Sequence, residues 1–244
     1  SLRIIRHLAQ NGGIPLVAIP KTIDNDVLMT EYAVGFSTAV NVAVEALDRL
    51  QPTAASHHRA MILEVMGRDA GHIAMHAGIA GGADVILVPE IPYSLEGVSD
   101  KLHEVMDTGR KHGLVVVAEG VRRPDGSALT VQHHDEEVRY GRVGEWLSET
   151  LGQRNDWETR TTVLGHVQRG GTPSMRDRLI ASAFGVRAVD MVDQGRFDRM
   201  AAWSDRDVID VPLADVVTTT RAVDPYGALV RTARGLGIYV GDPG

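Results

Sequence analysis

Cysteine is absent from the 244-residue chain. Disulfide staples and thiolate metal sites are thereby excluded, and a cytoplasmic protein is the expected default. No apolar run is long enough to span a bilayer, and the start carries no signal-peptide pattern. Aromatic residues make up 5% of the chain and form no run of stacking platforms. A basic block is missing too: 25 Lys and Arg stand against 32 Asp and Glu, for a net charge of −7. Neither nucleic acid nor membrane is an expected partner. Without internal repeats or low-complexity segments, the chain can bury a substantial core as one large domain or two small ones.

What is present is an alternation of short apolar runs with helical periodicity. The chain opens at Ser1 inside a helical pattern, Leu2, Ile5 and Leu8, stopped by Gly12-Gly13. The opening strand and glycine loop usual in an α/β nucleotide-binding fold are not seen ahead of it, so a fragment lacking its amino-terminal part is expected. Ile14–Ile19 reads as a buried parallel strand. Residues 38–50 read as a helix ended by Gln51-Pro52. Ala60–Met66, Val85–Glu90 and Leu114–Glu119 read as further strands, with helices at 70–80 and about 98–111 between them. Residues 121–135 look like a surface excursion turning at Pro124-Asp125-Gly126. A helix marked by Trp146, Leu147 and Leu151 stops at Gly152. A short strand, Thr161–His166, then leads into a glycine-rich loop, Val167–Ser174, and a helix from about 176 to 194. The tail holds a strand at Val208–Val211, stopped by Pro212, and a terminal helix near 226–235. This order predicts right-handed βαβ units and a parallel sheet.

The heptapeptide Pro20-Lys21-Thr22-Ile23-Asp24-Asn25-Asp26 falls where the first strand opens into a loop, the usual place for ligands in open α/β sheets. If it stays extended, Asp24 and Asp26 share a face, one able to take a proton while the other orients water or a metal. The alternative is an Asx-rich turn followed by a helix cap. Strand ends also carry Arg68, Glu119, and His166 with Arg169. Charged groups at four parallel strand ends suggest one shared site, since burying them unpaired costs several kcal/mol. Gln168-Arg169-Gly170-Gly171 sets a guanidinium fork beside unobstructed backbone before a helix, as phosphate binding requires. A Gly-Gly turn with a solvated arginine is the alternative there, and a satisfied core histidine the alternative for His166. Arg59 and Arg160 precede strands, so they fall at the opposite edge of the sheet. They are either ordinary exposed arginines or residues that reach a neighbouring subunit. His57-His58 and His133-His134-Asp135 read as surface groups without a suitably spaced third ligand.

These residues resemble the 6-phosphofructokinase family. The matches are Thr22-Ile-Asp-Asn-Asp26, Glu64-Val-Met-Gly-Arg68, Gly81-Gly82 with Pro89-Glu90, Glu119, and Leu164-Gly-His-Val-Gln-Arg-Gly-Gly171 with Asp177-Arg178. They fall in family order from about residue 10 to 200. The resemblance implies two parallel-sheet α/β domains with the active site in the cleft between them. Residues 1–35 and about 168–218 would be the remainder of the donor-binding domain, and about 36–167 the sugar-phosphate domain with 219–244 packed on it. The implied reaction is phosphoryl transfer to the 1-hydroxyl of fructose 6-phosphate with Mg2+. Asp24 would be the general base, with Thr22 and Asp26 positioning the transferring group and its magnesium shell. Arg68 would hold charge on the transferring phosphoryl. Ile23, Met66 and Gly67 would shape the sugar pocket, and Glu119 would accept sugar hydroxyls. His166 and Arg169 would bind the 6-phosphate, joined by Arg59 and Arg160 from a neighbouring subunit of a homodimer or homotetramer.

Two departures from the shortest bacterial members bear on the donor. The segment between Glu119 and Arg160 is longer, similar to the group that includes ATP and pyrophosphate users. Lys21 stands where the allosteric ATP enzymes have glycine, and it does not settle the donor within that group. The deciding loop and the main metal ligand are expected upstream of Ser1. Thr108 replaces an effector-site lysine, so regulation by a nucleoside diphosphate is not expected. ATP is the expected donor, with pyrophosphate as the alternative. Two readings of other classes are a catalytically incomplete sugar-phosphate-binding fragment and a two-carboxylate glycoside hydrolase, the latter opposed by the strand-end arginines.

Overall fold

The computed structural model describes residues 2–132, 138–140 and 142–242. The group at His133-His134-Asp135 lies outside the described residues. The chain forms two compact units, Ser1–Thr38 with Thr172–Arg221, and Ala39–Gly171 with Ala222–Gly244.

The first unit begins with α1 (Leu2–Gly12), where the Gly13 amide closes the helix onto the Ala9 carbonyl at 3.1 Å. Only Val17–Ala18 of the expected first strand is regular, as β1. Ile14 and Ile19 beside it are exposed. Next come β2 (Lys21–Thr22) and its parallel partner β3 (Val34–Gly35). Helix α2 (Phe36–His57) then passes into the second unit. It runs through Pro52, where the sequence predicts a stop. Proline lacks an N–H and crowds the carbonyl four residues back. The turn beyond it is nevertheless held, because fully buried Ala54 packs with Met61, Leu114 and Leu50.

In the second unit come β4 (Ala60–Val65), α3 (His72–Ala80), β5 (Val85–Leu87) and α4 (Leu95–Val105), the last capped by the Ser94 hydroxyl. An irregular turn, Met106–Arg110, leads to β6 (Gly113–Ala118). The predicted surface excursion contains β7 (Thr130–Gln132), which pairs antiparallel with β8 (Val138–Tyr140) beyond it. After it follow α5 (Val143–Arg154) and β9 (Thr159–Val163). The four strands β5-β6-β4-β9 form a parallel sheet in that order. β4 and β6 are central and buried at every residue, which accounts for their apolar runs, broken only by Glu64 in β4. β9 stops at Val163, so His166 is not on a strand; Gly165–Arg169 is a 3-10 turn instead of open loop.

The chain returns to the first unit with α6 (Met175–Asp193), whose N-cap Ser174 accepts the Asp177 amide at 3.1 Å. The hairpin β10 (Arg199–Ser204) and β11 (Asp207–Pro212) and the short α7 (Leu213–Val216) follow. β1 joins this hairpin by pairing in parallel with β10. Met200 and Ala202 pack in one cluster with Ala18, Val211, Leu213 and Val216. Ala201 points the other way, toward Ile180, Phe184 and Met191. Finally α8 (Ala228–Gly235) belongs to the second unit, where the Tyr239 backbone extends the sheet beside β5. The four charged strand ends therefore belong to two sheets: Asp24 to the first unit, the others to the second.

Candidate active site

In the first unit the backbone turns directly after Thr22, and Asn25 takes a left-handed φ of 55°. The alternation that would have set Asp24 and Asp26 on one face is lost at that residue. The helix-cap alternative fails too, because the segment runs on to β3. A hydroxyl closes the turn: Thr22 Oγ1 donates to Asp24 Oδ2 at 3.1 Å and accepts the Asp24 amide at 3.2 Å. Asn25, 2% exposed, anchors the loop, with Nδ2 donating to the Glu31 carbonyl at 3.0 Å and Oδ1 accepting the Ala33 amide at 2.8 Å. Thr22, Ile23, Asp24 and Asp26 are half-buried and Lys21 is exposed.

Arg221 holds this loop from outside. Its Nη2 donates to the Asn25 carbonyl at 2.7 Å and the Glu31 carbonyl at 3.1 Å, and its amide to the Asp26 carbonyl at 2.7 Å. Burial pulls the guanidinium below its usual value, opposed by Tyr32, Glu31 and Asp26. Nothing around Thr218-Thr219-Thr220 marks this arginine in the sequence, since its partners are carbonyls about 190 residues earlier. Asp177, matched by family resemblance, is 3% exposed and accepts the Gly35 and Thr38 amides at 3.0 and 2.7 Å. It thus places a carboxylate at the start of α2 while sitting in the first turn of α6.

In the second unit, Met66, Gly67 and Arg68 follow β4, Glu119 follows β6, and His166 and Arg169 lie on the 3-10 turn after β9. These are the carboxyl ends of three adjacent parallel strands. The Met66 amide donates to Gln168 Oε1 at 2.7 Å, and Gln168 Nε2 donates to the Ala39 carbonyl at 3.2 Å. Gln168, read from sequence as part of a phosphate loop, is 1% exposed and fastens the two strand ends together. Gly67 has a φ of 144°, and Gly120 approaches so closely that a Cβ on it would lie 2.0 Å from the Arg68 carbonyl oxygen. Glycine at both positions lets the turn at Arg68 and the turn after Glu119 interlock. Glu119 is half-buried, while Arg68, His166 and Arg169 are exposed. Exposure of His166 removes the core-histidine alternative.

Behind this edge Glu64 is 2% exposed and accepts the Gly144 amide on Oε2 at 2.8 Å. Burial raises its carboxyl above 4.5, with Glu119 and Glu145 adding and the Gly144 and Arg142 amides opposing. At the opposite edge of the same sheet, Arg59 just before β4 and Arg160 in β9 both pair with Glu158. The described residues contain no group of three or more His, Asp or Glu side chains able to cage a metal. His57 and His58 are both exposed.

Comparison with known proteins identifies the family. The phosphofructokinase family profile matches residues 1–192. A Nostoc protein named ATP-dependent 6-phosphofructokinase 1 is 56% identical over 99% of this chain and 67% of its own length. An ATP-dependent 6-phosphofructokinase of Chloroflexus aggregans is 46% identical over 94% of this chain and 64% of its own. The chain thus spans about two thirds of the length of these relatives. Among solved structures, the Pichia pastoris phosphofructokinase in the T-state superposes with a TM-score of 0.70 at 32% identity, covering 90% of this chain and 23% of that one. A pyrophosphate-dependent phosphofructokinase from Marinobacter aquaeolei, at 23% identity and a TM-score of 0.77, shares the fold over 99% of this chain and 65% of its own. The chain belongs to the phosphofructokinase family.

Proposed function

We propose that the protein carrying this chain transfers the terminal phosphoryl group of ATP to the 1-hydroxyl of fructose 6-phosphate, giving fructose 1,6-bisphosphate in the cytoplasm. The observation that carries this reading is the Thr22–Asp24 turn. The Thr22 hydroxyl occupies Asp24 Oδ2, which leaves Oδ1 to take the proton of the attacking hydroxyl. Arg221 and Asn25 fix the loop, so the carboxylate need not reorganise during the step. In the second unit, Arg68 bears the charge of the transferring group, Glu119 accepts sugar hydroxyls, Met66 and Gly67 shape the sugar pocket, and His166 and Arg169 bind the 6-phosphate. Phosphoryl transfer gains chiefly from positioning and charge stabilisation, which this set supplies.

Magnesium bound with donor phosphates needs only one or two protein carboxylates. Asp26 fits that need within this chain, alongside Thr22 on the transferring group, and the ion neutralises phosphate charge when bound. The first unit serves the donor and the second the sugar phosphate. Arg59 and Arg160 exchange Glu158 for the 6-phosphate of a neighbouring copy in a homodimer or homotetramer. Along α6, Met175, Leu179, Val186 and Val189 are exposed at helical spacing, an apolar face suited to such a copy. Relatives at 51–56% identity named ATP-dependent favour ATP as donor. A coupled assay of fructose 1,6-bisphosphate formation tests the reading. ATP with Mg2+ should support turnover and pyrophosphate should not. Turnover with pyrophosphate alone would move the assignment to that donor, and none with either would leave only sugar-phosphate binding.

A further inference from the structure

A cleft of about 290 Å³ opens in the second unit between the turn after β5 and the turn after β6. Val88, Ile91 and Val121 form apolar walls, and Tyr93, Arg122 and Arg123 also line it. That volume is at the small end of metabolite pockets. Two lining side chains carry buried donors with no acceptor among the described residues: the Tyr93 hydroxyl, on a residue 8% exposed, and Arg123 Nε. A donor left so costs about 1–3 kcal/mol. Burial, with Asp125 and Tyr239 adding, pushes the Tyr93 phenol up, so it stays protonated and offers its O–H. The Arg123 guanidinium stands 5.5 Å from the centre of the Trp146 ring, which seats the cation without accepting its in-plane N–H groups.

The nearby carboxylates are committed elsewhere. Glu90 Oε1 accepts the Gly71 and Val223 amides at 2.9 and 2.8 Å, and Oε2 the Gly71 amide at 3.1 Å. Asp125 is exposed and accepts the Ser127 amide at 2.8 Å. We propose that this cleft binds a small organic anion, a carboxylate or phosphate on a short apolar body. Its oxygens receive the Tyr93 hydroxyl and the Arg123 guanidinium, and its body lies on Val88, Ile91 and Val121. The site stands on its own geometry and does not depend on the kinase reading.

Calorimetric titration with benzoate and with phenyl phosphate, each with and without saturating fructose 6-phosphate, tests it. The expected result is saturable one-to-one binding of at least one probe, unchanged by the sugar phosphate. Tyr93→Phe, which removes only the hydroxyl oxygen, and Arg123→Gln should each weaken it about tenfold, the loss of one hydrogen bond. Binding of benzoate alone assigns the carboxylate, and of phenyl phosphate alone the phosphate. No saturable binding of either probe, displacement by fructose 6-phosphate, or a Tyr93→Phe protein that binds as wild type would overturn the proposal.

Discussion

Asp24 and Glu64 are both acidic residues in family motifs, and their surroundings are opposite in kind. Asp24 is half-buried in a loop, oriented by a hydroxyl; Glu64 is sealed behind a strand end with a backbone amide for company. A carboxyl raised by burial holds its proton more tightly folded than unfolded. Its contribution to stability is complete below 4.5 and is lost as pH rises through the raised folded value. Glu64→Gln keeps an acceptor for the Gly144 amide and cannot ionise. Its melting temperature relative to wild type should therefore be higher at pH 7 than at pH 4. Equal differences at the two pH values would show that folding does not raise the Glu64 carboxyl. In the sequence the motif residues stood out by type and spacing, while this difference in surroundings did not. It depends on Gly144 and Arg221, each far away along the chain.

The strand ends work as elements because two glycines permit close approach of main chain to main chain. At Gly120 a methyl group would meet the Arg68 carbonyl oxygen at 2.0 Å and the Gly67 oxygen at 2.9 Å, neither at the end of a flexible side chain. Gly120→Ala should destabilise the fold by about 1–3 kcal/mol. Gly185→Ala, in the interior of α6 with open space around it, should instead stabilise by about 0.5–1 kcal/mol. Urea unfolding of the two variants checks both signs. Helices and central strands were legible because periodicity and burial agree there, as in β4 and β6. Pro52 misled because a breaker is a local signal and the packing of Ala54 is not. Strand β10 escaped notice because Arg-Met-Ala-Ala-Trp-Ser lacks β-branched residues and is held in place by partners on both sides. The predicted strand through His166 failed because Leu164 already takes helical backbone, at φ −70° and ψ −41°, and Gly165, at a φ of 50°, carries the turn on.

At the scale of the molecule, the family was legible because its motifs recur in order along most of the chain. How those motifs distribute over two sheets was not, because sequence order alone does not say which parallel strands are neighbours. Asp24, the proposed base, lies in the first unit, whereas Glu119, His166 and Arg169, proposed for the sugar phosphate, lie in the second with Arg68. Chemistry and sugar binding should therefore respond separately to mutation. Steady-state kinetics of Asp24→Ser, with fructose 6-phosphate varied at saturating ATP and Mg2+, measures that directly. Loss of a general base should lower kcat about 10²–10⁴-fold while KM for fructose 6-phosphate changes by no more than about threefold. A kcat close to wild type with the whole effect in KM would contradict the assignment of Asp24 as the base.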